Sequence, residues 1–288
     1  MRYLLVIITI FICCCIELIG QDIIKPNIYS KGLNIQNPAS EPAHGESYNS
    51  IDLYGKYKFI DSDAWHKDIN AIVNYIGRSR GVNGFYMASY SYDNYSYFNR
   101  HILSAGYGKG WLISGNSFIS VGMRGVFNID NIRWFELYNA NTETHNRNTY
   151  ITPDIDIGVE YKLKNTRIGF SVRNIAGIKR KIQDSGVTLV NRRQFFFDVA
   201  HRFSISEALE IESHLSSYIE RNITADIGLD LTYGKRYTFL YNFRIIELRH
   251  IAGFLIDDII KGVNFGVVYD ISHLHRDHNL DFVIGVRF

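Results

Sequence analysis

Apolar and polar residues alternate with a period of two along most of this chain. Ile51, Leu53, Gly55, Tyr57 and Phe59 fall on one side, with Asp52, Tyr54, Lys56 and Lys58 on the other. Ile119, Val121, Met123, Gly125 and Phe127 alternate in the same way with Ser120, Gly122, Arg124 and Val126. So do Ile223, Ala225, Ile227, Leu229 and Leu231 with Thr224, Asp226, Gly228 and Asp230. In the final segment Phe282, Ile284, Val286 and Phe288 are each offset by one residue from Asp281, Val283, Gly285 and Arg287. Successive side chains on a strand point to opposite faces, so each run reads as a strand with one apolar face. Runs of about ten residues exceed the usual soluble strand of about 5 or 6 and match the length that crosses a bilayer.

Turn-forming sequences separate the runs, among them Asp61-Ser62-Asp63, Arg80-Gly81-Val82-Asn83-Gly84, Lys164-Asn165 and Tyr233-Gly234-Lys235. They place strands at roughly 50–60, 67–77, 84–92, 100–108, 117–128, 131–139, 154–162 and 166–174. The series continues at roughly 194–203, 208–217, 222–233, 236–245, 248–256, 262–270 and 279–288. These are about fifteen candidates, whereas a closed bacterial barrel takes an even number. The expected fold is therefore all-β, an antiparallel transmembrane β-barrel of about 14 strands (range 12–16) over residues 50–288. Connections at about 140–153 and 175–193, rich in Asn, Thr, Arg and Lys, are expected as outward loops. Ala208, Ile211, Leu215 and Ile219 also fit one helix face, as do Ile251, Leu255 and Ile259. Their neighbours alternate, and both segments are read as strands.

Composition narrows the alternatives. Three of the 4 prolines (Pro26, Pro38, Pro42) precede the alternating region, and only Pro153 falls inside it. Proline cannot donate to a ladder, so a long proline-poor stretch suits central strands. With 46% hydrophobic and 21% charged residues the chain is neither disordered nor a coiled coil. A formal charge of +2 gives no reason to expect nucleic acid. A soluble β-sandwich also alternates. Tyr and Phe gathered near strand ends (Tyr86, Tyr90, Tyr92; Tyr237, Tyr241; Phe195 to Phe197) favour a membrane barrel, where aromatic girdles belong. Phe282, Gly285 and Phe288 end the chain in a pattern resembling the C-terminal signal read by the outer-membrane assembly machinery.

The first segment reads as an address. Arg2, an apolar run from Tyr3 to Ile16, and Gly20 before Gln21 fit a secretory signal peptide over residues 1–20. A retained anchor helix and a lipoprotein acylated at one of Cys13 to Cys15 are the other readings. Cleavage after Gly20 removes every cysteine, which excludes disulfides and thiolate chemistry from the mature chain. Residues 21–49 are expected as an N-terminal extended segment ahead of the barrel.

Gln21-Asp22, Tyr29, Asn34 and Asn37-Pro38-Ala39 resemble the start of mature PorP/SprF family proteins. Thr152-Pro153-Asp154 leads into Ile157-Gly158-Val159-Glu160-Tyr161, and Gly169-Phe170-Ser171-Val172-Arg173-Asn174-Ile175 follows a hairpin later. That order is similar to two successive strands of the family, and Tyr269-Asp270 with Leu274 looks like its last hairpin. Ser40 stands where the family usually has glycine. The resemblance spans residues 21–288. It implies an outer-membrane barrel of the type IX secretion system in Bacteroidota. It further implies work with particular secreted proteins, notably large adhesins, and a link to gliding motility.

Other constellations carry less. His273, His275 and His278 could offer imidazoles to zinc or nickel, but lie in an expected hairpin tip with no fixed fourth ligand and read as a solvated loop. Ser104 with His101, or Ser213 and His214 with His201 and Asp198, could supply a hydrolase nucleophile and base. Gly106-Tyr107-Gly108-Lys109-Gly110 lacks the spacing of a nucleotide loop and reads as a turn. Asn222-Ile223-Thr224 falls inside an expected strand and is not read as a glycosylation site. No catalytic residue, metal or cofactor is assigned. The charges that alternate with apolar positions are expected to face the lumen: Lys56, Lys58, Arg124, Glu160, Lys162, Arg173, Asp226 and Asp230. Both signs are present, which suits a salt-bridged and plugged interior or a lumen admitting a solute or peptide. The functional expectation is a non-enzymatic outer-membrane barrel that assists a secreted partner. A general or substrate-specific porin and an outer-membrane lipid hydrolase are the alternatives.

Overall fold

The computed structural model describes residues 29–40, 48–60, 68–78, 84–95, 98–132, 149–181, 188–220, 223–273 and 277–288. Residues 1–20, read as the signal peptide, lie outside them. The first described element is helix α1 (Tyr29–Gln36), so this part of the segment expected to be extended is helical. Strands β1 (Tyr48–Ile60), β2 (Asp68–Arg78), β3 (Gly84–Tyr95), β4 (Phe98–Ser114) and β5 (Ser117–Ile132) follow. Then come β6 (Thr149–Leu163) and β7 (Thr166–Arg173), and a small hairpin of β8 (Lys179–Lys181) and β9 (Thr188–Val190). The series resumes with β10 (Gln194–Ser204), β11 (Leu209–Ile219), β12 (Ile223–Tyr233) and β13 (Tyr237–Arg244). It ends with β14 (Arg249–Ile256), β15 (Val263–Ser272) and β16 (Asp277–Arg287).

Fourteen of these strands form one closed antiparallel barrel, with β8 and β9 as a separate two-stranded sheet. Each barrel strand pairs with its neighbour along the chain, β7 pairs with β10, and β1 closes on β16. Both ambiguous segments are strands, β11 and β14. Of the expected strand at 131–139, Asn131 and Ile132 are the end of β5, and the remainder lies outside the described residues. The expected loop at 140–153 overlaps β6, which begins at Thr149.

The radial distribution is the reverse of a soluble protein's. Ile51, Met123, Phe127, Ile155, Ile227, Phe239 and Phe282 are exposed, while the strand neighbours Asp52, Arg124, Asp156, Asp226 and Asp281 are buried. An apolar exterior with a polar interior is stable only when lipid covers the outside. No helix among the described residues is long and apolar enough to cross a membrane. Closure leaves no barrel strand with an unpaired edge, so every ladder is satisfied without water.

The residues proposed as an assembly signal sit at the closing seam. Phe282 lies opposite Gly55 in the β1–β16 register, and its ring covers the space a side chain at Gly55 would fill. The Asp52 carboxylate leans over Gly285 in the same way on the inner face. Phe288 donates its backbone N–H to the Asn49 carbonyl at 3.0 Å, while its residue surface is 71% exposed.

The two rims differ. At the rim bearing the chain's C-terminus, β4–β5, β6–β7 and β12–β13 are joined by turns of only a few residues. The opposite rim carries the long connections 133–148 and 174–193. Short periplasmic turns and long extracellular loops are the rule for such barrels, so the long-loop rim is the outer one.

Candidate functional site: the filled lumen

Helix α1 and the turn after it lie inside the barrel, with residues 33–40 all buried. Two apolar contacts seat the helix. Leu33 packs with Phe196, Ala200 and Tyr218, and Ile35 packs with residues of β1, β2 and β13–β16, including Tyr54, Ile72 and Leu255. Each such buried side chain is worth about 1.5–3 kcal/mol relative to exposure.

The polar half of the lumen holds the backbone of the same segment. The last carbonyls of a helix have no partner within it and carry its negative end. Here Arg124 on β5 supplies both needs, donating to the Asn34 carbonyl at 3.1 Å and the Ile35 carbonyl at 2.6 Å. Its Nε donates to Asp156 on β6 at 2.8 Å. Ser171 donates to the Gln36 carbonyl, Arg173 to Gln36 Oε1 at 3.0 Å, and Ser120 to the Ala39 carbonyl at 2.7 Å. Asn37 donates its amide to the Val159 carbonyl and accepts from the Ala39 N–H, while Ser40 donates to Glu160 at 2.6 Å. Lys162 pairs with the same carboxylate at 3.0 Å.

Three inward glycines make room for this turn. A Cβ at Gly122 would overlap the Pro38 carbonyl, and one at Gly158 would overlap the Asn37 side chain. One at Gly169 would collide with Asp198 and crowd the Asn37 amide. Gly122 and Gly158 face each other across β5–β6, so the wall is thinnest where the Asn37-Pro38 turn presses against it.

The inward charges fall into three groups. Arg124, Glu160, Lys162 and Arg173 belong to the seat just described. Asp226 pairs with Arg244 at 2.9 Å on the β12–β13 wall, and beyond it Arg249 pairs with Asp270 at 2.9 Å. Asp230 is buried opposite Glu212 in the β11–β12 register, and its Oδ1 has no hydrogen-bond partner among the described residues. Lys56 and Lys58 are half-buried on β1, opposite Asp281 and Asn279 of β16. Buried charges are costly unless paired, and pairs across neighbouring strands meet that requirement for most of this interior.

The other candidate groupings separate on the strands. His101 bonds Tyr90 at 2.8 Å on the outer face, whereas Ser104 bonds Ser89 at 2.7 Å on the inner one. Ser213 and His201 are paired across β10–β11 on the lipid side, but Ser213 donates to the His201 carbonyl rather than to its ring, and His201 Nδ1 bonds Thr166. Asp198, three residues from His201, points inward to Arg167, so these three cannot form a triad. His214 is buried in the lumen. His273 is exposed and packs edge-on to His250, His278 bonds Tyr269, and His275 lies outside the described residues. No three His, Cys, Asp or Glu side chains are grouped for a metal among the described residues. The Gly106–Gly110 stretch is part of β4. Tyr90–His101, Tyr241–His250 and Tyr269–His278 repeat one lipid-side pairing in three outer hairpins.

The family model for "Type IX secretion system membrane protein PorP/SprF" matches residues 34–288. The chain belongs to the PorP/SprF family. A comparison with curated proteins finds no match. Among solved structures, this PorP/SprF chain is similar to the CymD monoaromatic hydrocarbon channel, at 10% identity and TM-score 0.58, covering 91% of this chain and 92% of that one. It is similar to the Acinetobacter baumannii outer membrane protein Omp33, at 10% identity and TM-score 0.53, covering 85% of this chain and 100% of that one. The Pseudomonas putida toluene transporter TodX gives 12% identity and TM-score 0.51, with 89% and 92% covered. At such identities the likeness is one of fold, that of outer-membrane barrels. The chain is therefore an outer-membrane protein of a type IX secretion family.

Proposed function

We propose that this PorP/SprF protein is a non-enzymatic outer-membrane component of type IX secretion in a Bacteroidota-like host. It assists the export or surface attachment of one secreted partner, such as an adhesin, and through it surface behaviour such as gliding. The observation that supports this most is the lumen. Residues 33–40 of the N-terminal segment occupy the lumen, which favours a contribution by contact over conduction. The outer loops and rim offer that contact, by side-chain complementarity or by strand addition to the partner's terminal domain. In this reading the inward charges brace the plug and wall rather than guide a solute. Residues 1–20 direct export, and Phe282, Gly285 and Phe288 mark the chain for barrel assembly.

The test is deletion of this gene and quantification of candidate partners on intact cells. One surface protein is expected to disappear from the surface and accumulate in the periplasm, while total outer-membrane protein stays constant. Normal display of every surface protein in the deletion strain would contradict the proposal.

A further inference from the structure

On the outer side of the plug, a cavity of about 80 Å³ is floored by Ile35 and Arg124 and walled by residues of β3, β4, β5 and the β9–β10 connection. That volume accommodates several water-sized groups. Its chemistry is unbalanced toward donors. Arg173 gives Nη1 to Gln36, but its Nε is 3.5 Å from Asp156, which already accepts from Arg124 and from the Asn174 N–H. Asn191 is only 5% exposed, and its Nδ2 has no acceptor among the described residues. Arg192 is exposed at the mouth, and Arg100 commits its Nε to Asp130 at 2.7 Å. Glu220, just beyond the outer end of β11, is the one other carboxylate besides Asp156 that lines the cavity among the described residues. Burial raises its carboxyl above the ordinary range, against the lowering effect of Arg192, Arg100 and Arg173.

A buried amide with no acceptor among the described residues, and a guanidinium nitrogen 3.5 Å from a carboxylate that two other donors share, favour an occupant that brings an acceptor. A cation would meet these same donors, and an apolar molecule would leave them unsatisfied. A planar carboxylate matches the guanidinium fork and is small enough for the space. We infer that this outward cavity is a receptor site for a single carboxylate group, held by Arg173 and Arg192 with the Asn191 amide. It does not depend on the secretion reading. The group can come from a free small acid or from the terminal carboxylate of a polypeptide, and the chemistry at the arginines is the same.

Titration calorimetry on the purified full barrel in detergent tests this with three probes: succinate, pentaglycine as the free acid, and pentaglycine amide. Saturable binding of at least one acid is expected, with the amide weaker by about tenfold or more, the loss of one charge-assisted pair. Binding of succinate alone assigns the site to a free acid, and binding of the free-acid peptide alone assigns it to a polypeptide terminus. Arg173→Gln and Arg192→Gln are each expected to weaken the bound acid. Glu220→Gln is expected to tighten it by removing a competing carboxylate, an opposite sign that general unfolding would not produce. Arg192, exposed at the mouth, keeps the test available where Arg173→Gln loosens the plug through Gln36. No saturable binding of either acid, equal binding of acid and amide, or a weaker site in Glu220→Gln would each overturn the inference.

Discussion

Leucine at both Gly122 and Gly158 is expected to convert a silent barrel into a conducting one. The wild-type protein in a planar bilayer should show no stable channel, because residues 33–40 occupy the lumen. Side chains at these two positions would enter the space of the Pro38 carbonyl and the Asn37 side chain. Neither can retreat far, since Asn37 is tied to Val159 and the Ala39 carbonyl to Ser120. Eviction of the turn also strips Arg124 of its two helix carbonyls, so the whole segment loses its hold. Conductance should rise by about tenfold or more, the difference between a filled and a water-lined interior. Deletion of residues 29–40 should reproduce it if the plug, rather than damage to the wall, is responsible. A wild-type barrel that already conducts would instead favour the porin reading.

Removal of Phe288 is expected to act on assembly and hardly on stability. Its residue surface is 71% exposed, and one hydrogen bond, from its N–H to Asn49, ties it to β1. The assembled fraction should fall by about tenfold, while the barrel that does assemble loses no more than the roughly 0.5–1.5 kcal/mol of one hydrogen bond. Phe288→Tyr keeps an aromatic terminus and should restore the yield. Phe282→Ala is the contrasting case. It uncovers Gly55 at the seam and should lower the unfolding temperature of the assembled barrel. Equal yields of the Phe288 deletion and the wild type would remove the assembly role.

The strands were legible because lipid imposes a strict rule on each of them. Every second residue must be apolar, and that shows in a run such as Ile223 to Leu231 without knowledge of any neighbour. Outward and inward faces follow from the same parity. The helix was not legible. Its sequence, YSKGLNIQ, has no acidic residue in its first turn and no basic residue in its last, so the local signals of a helix are missing. Its C-terminal complement is Arg124, 90 residues from Asn34. The seat was half visible. Asn37-Pro38-Ala39, Gly158, Glu160, Gly169, Ser171 and Arg173 all belong to the segments that resemble the family, and the fold brings them together in one place. What linear order could not give was the register that sets Gly122 beside Gly158. Of the strand expected at 131–139, Asn131 and Ile132 are the end of β5, and the rest lies outside the described residues.

Closure of the sheet underlies every functional statement, and one measurement addresses it directly. Leu53 of β1 and Ile284 of β16 are register partners on the lipid face, and the described residues contain no cysteine. Cysteines at these two positions, treated with a short bis-maleimide in isolated outer membranes, should link within one chain and shift the monomer band on a denaturing gel. Cysteines at Leu53 and Phe170, on strands across the barrel, should not link. An unshifted monomer with the 53–284 pair, or cross-linking only between chains, would mean that β1 and β16 are separate edges of an open sheet.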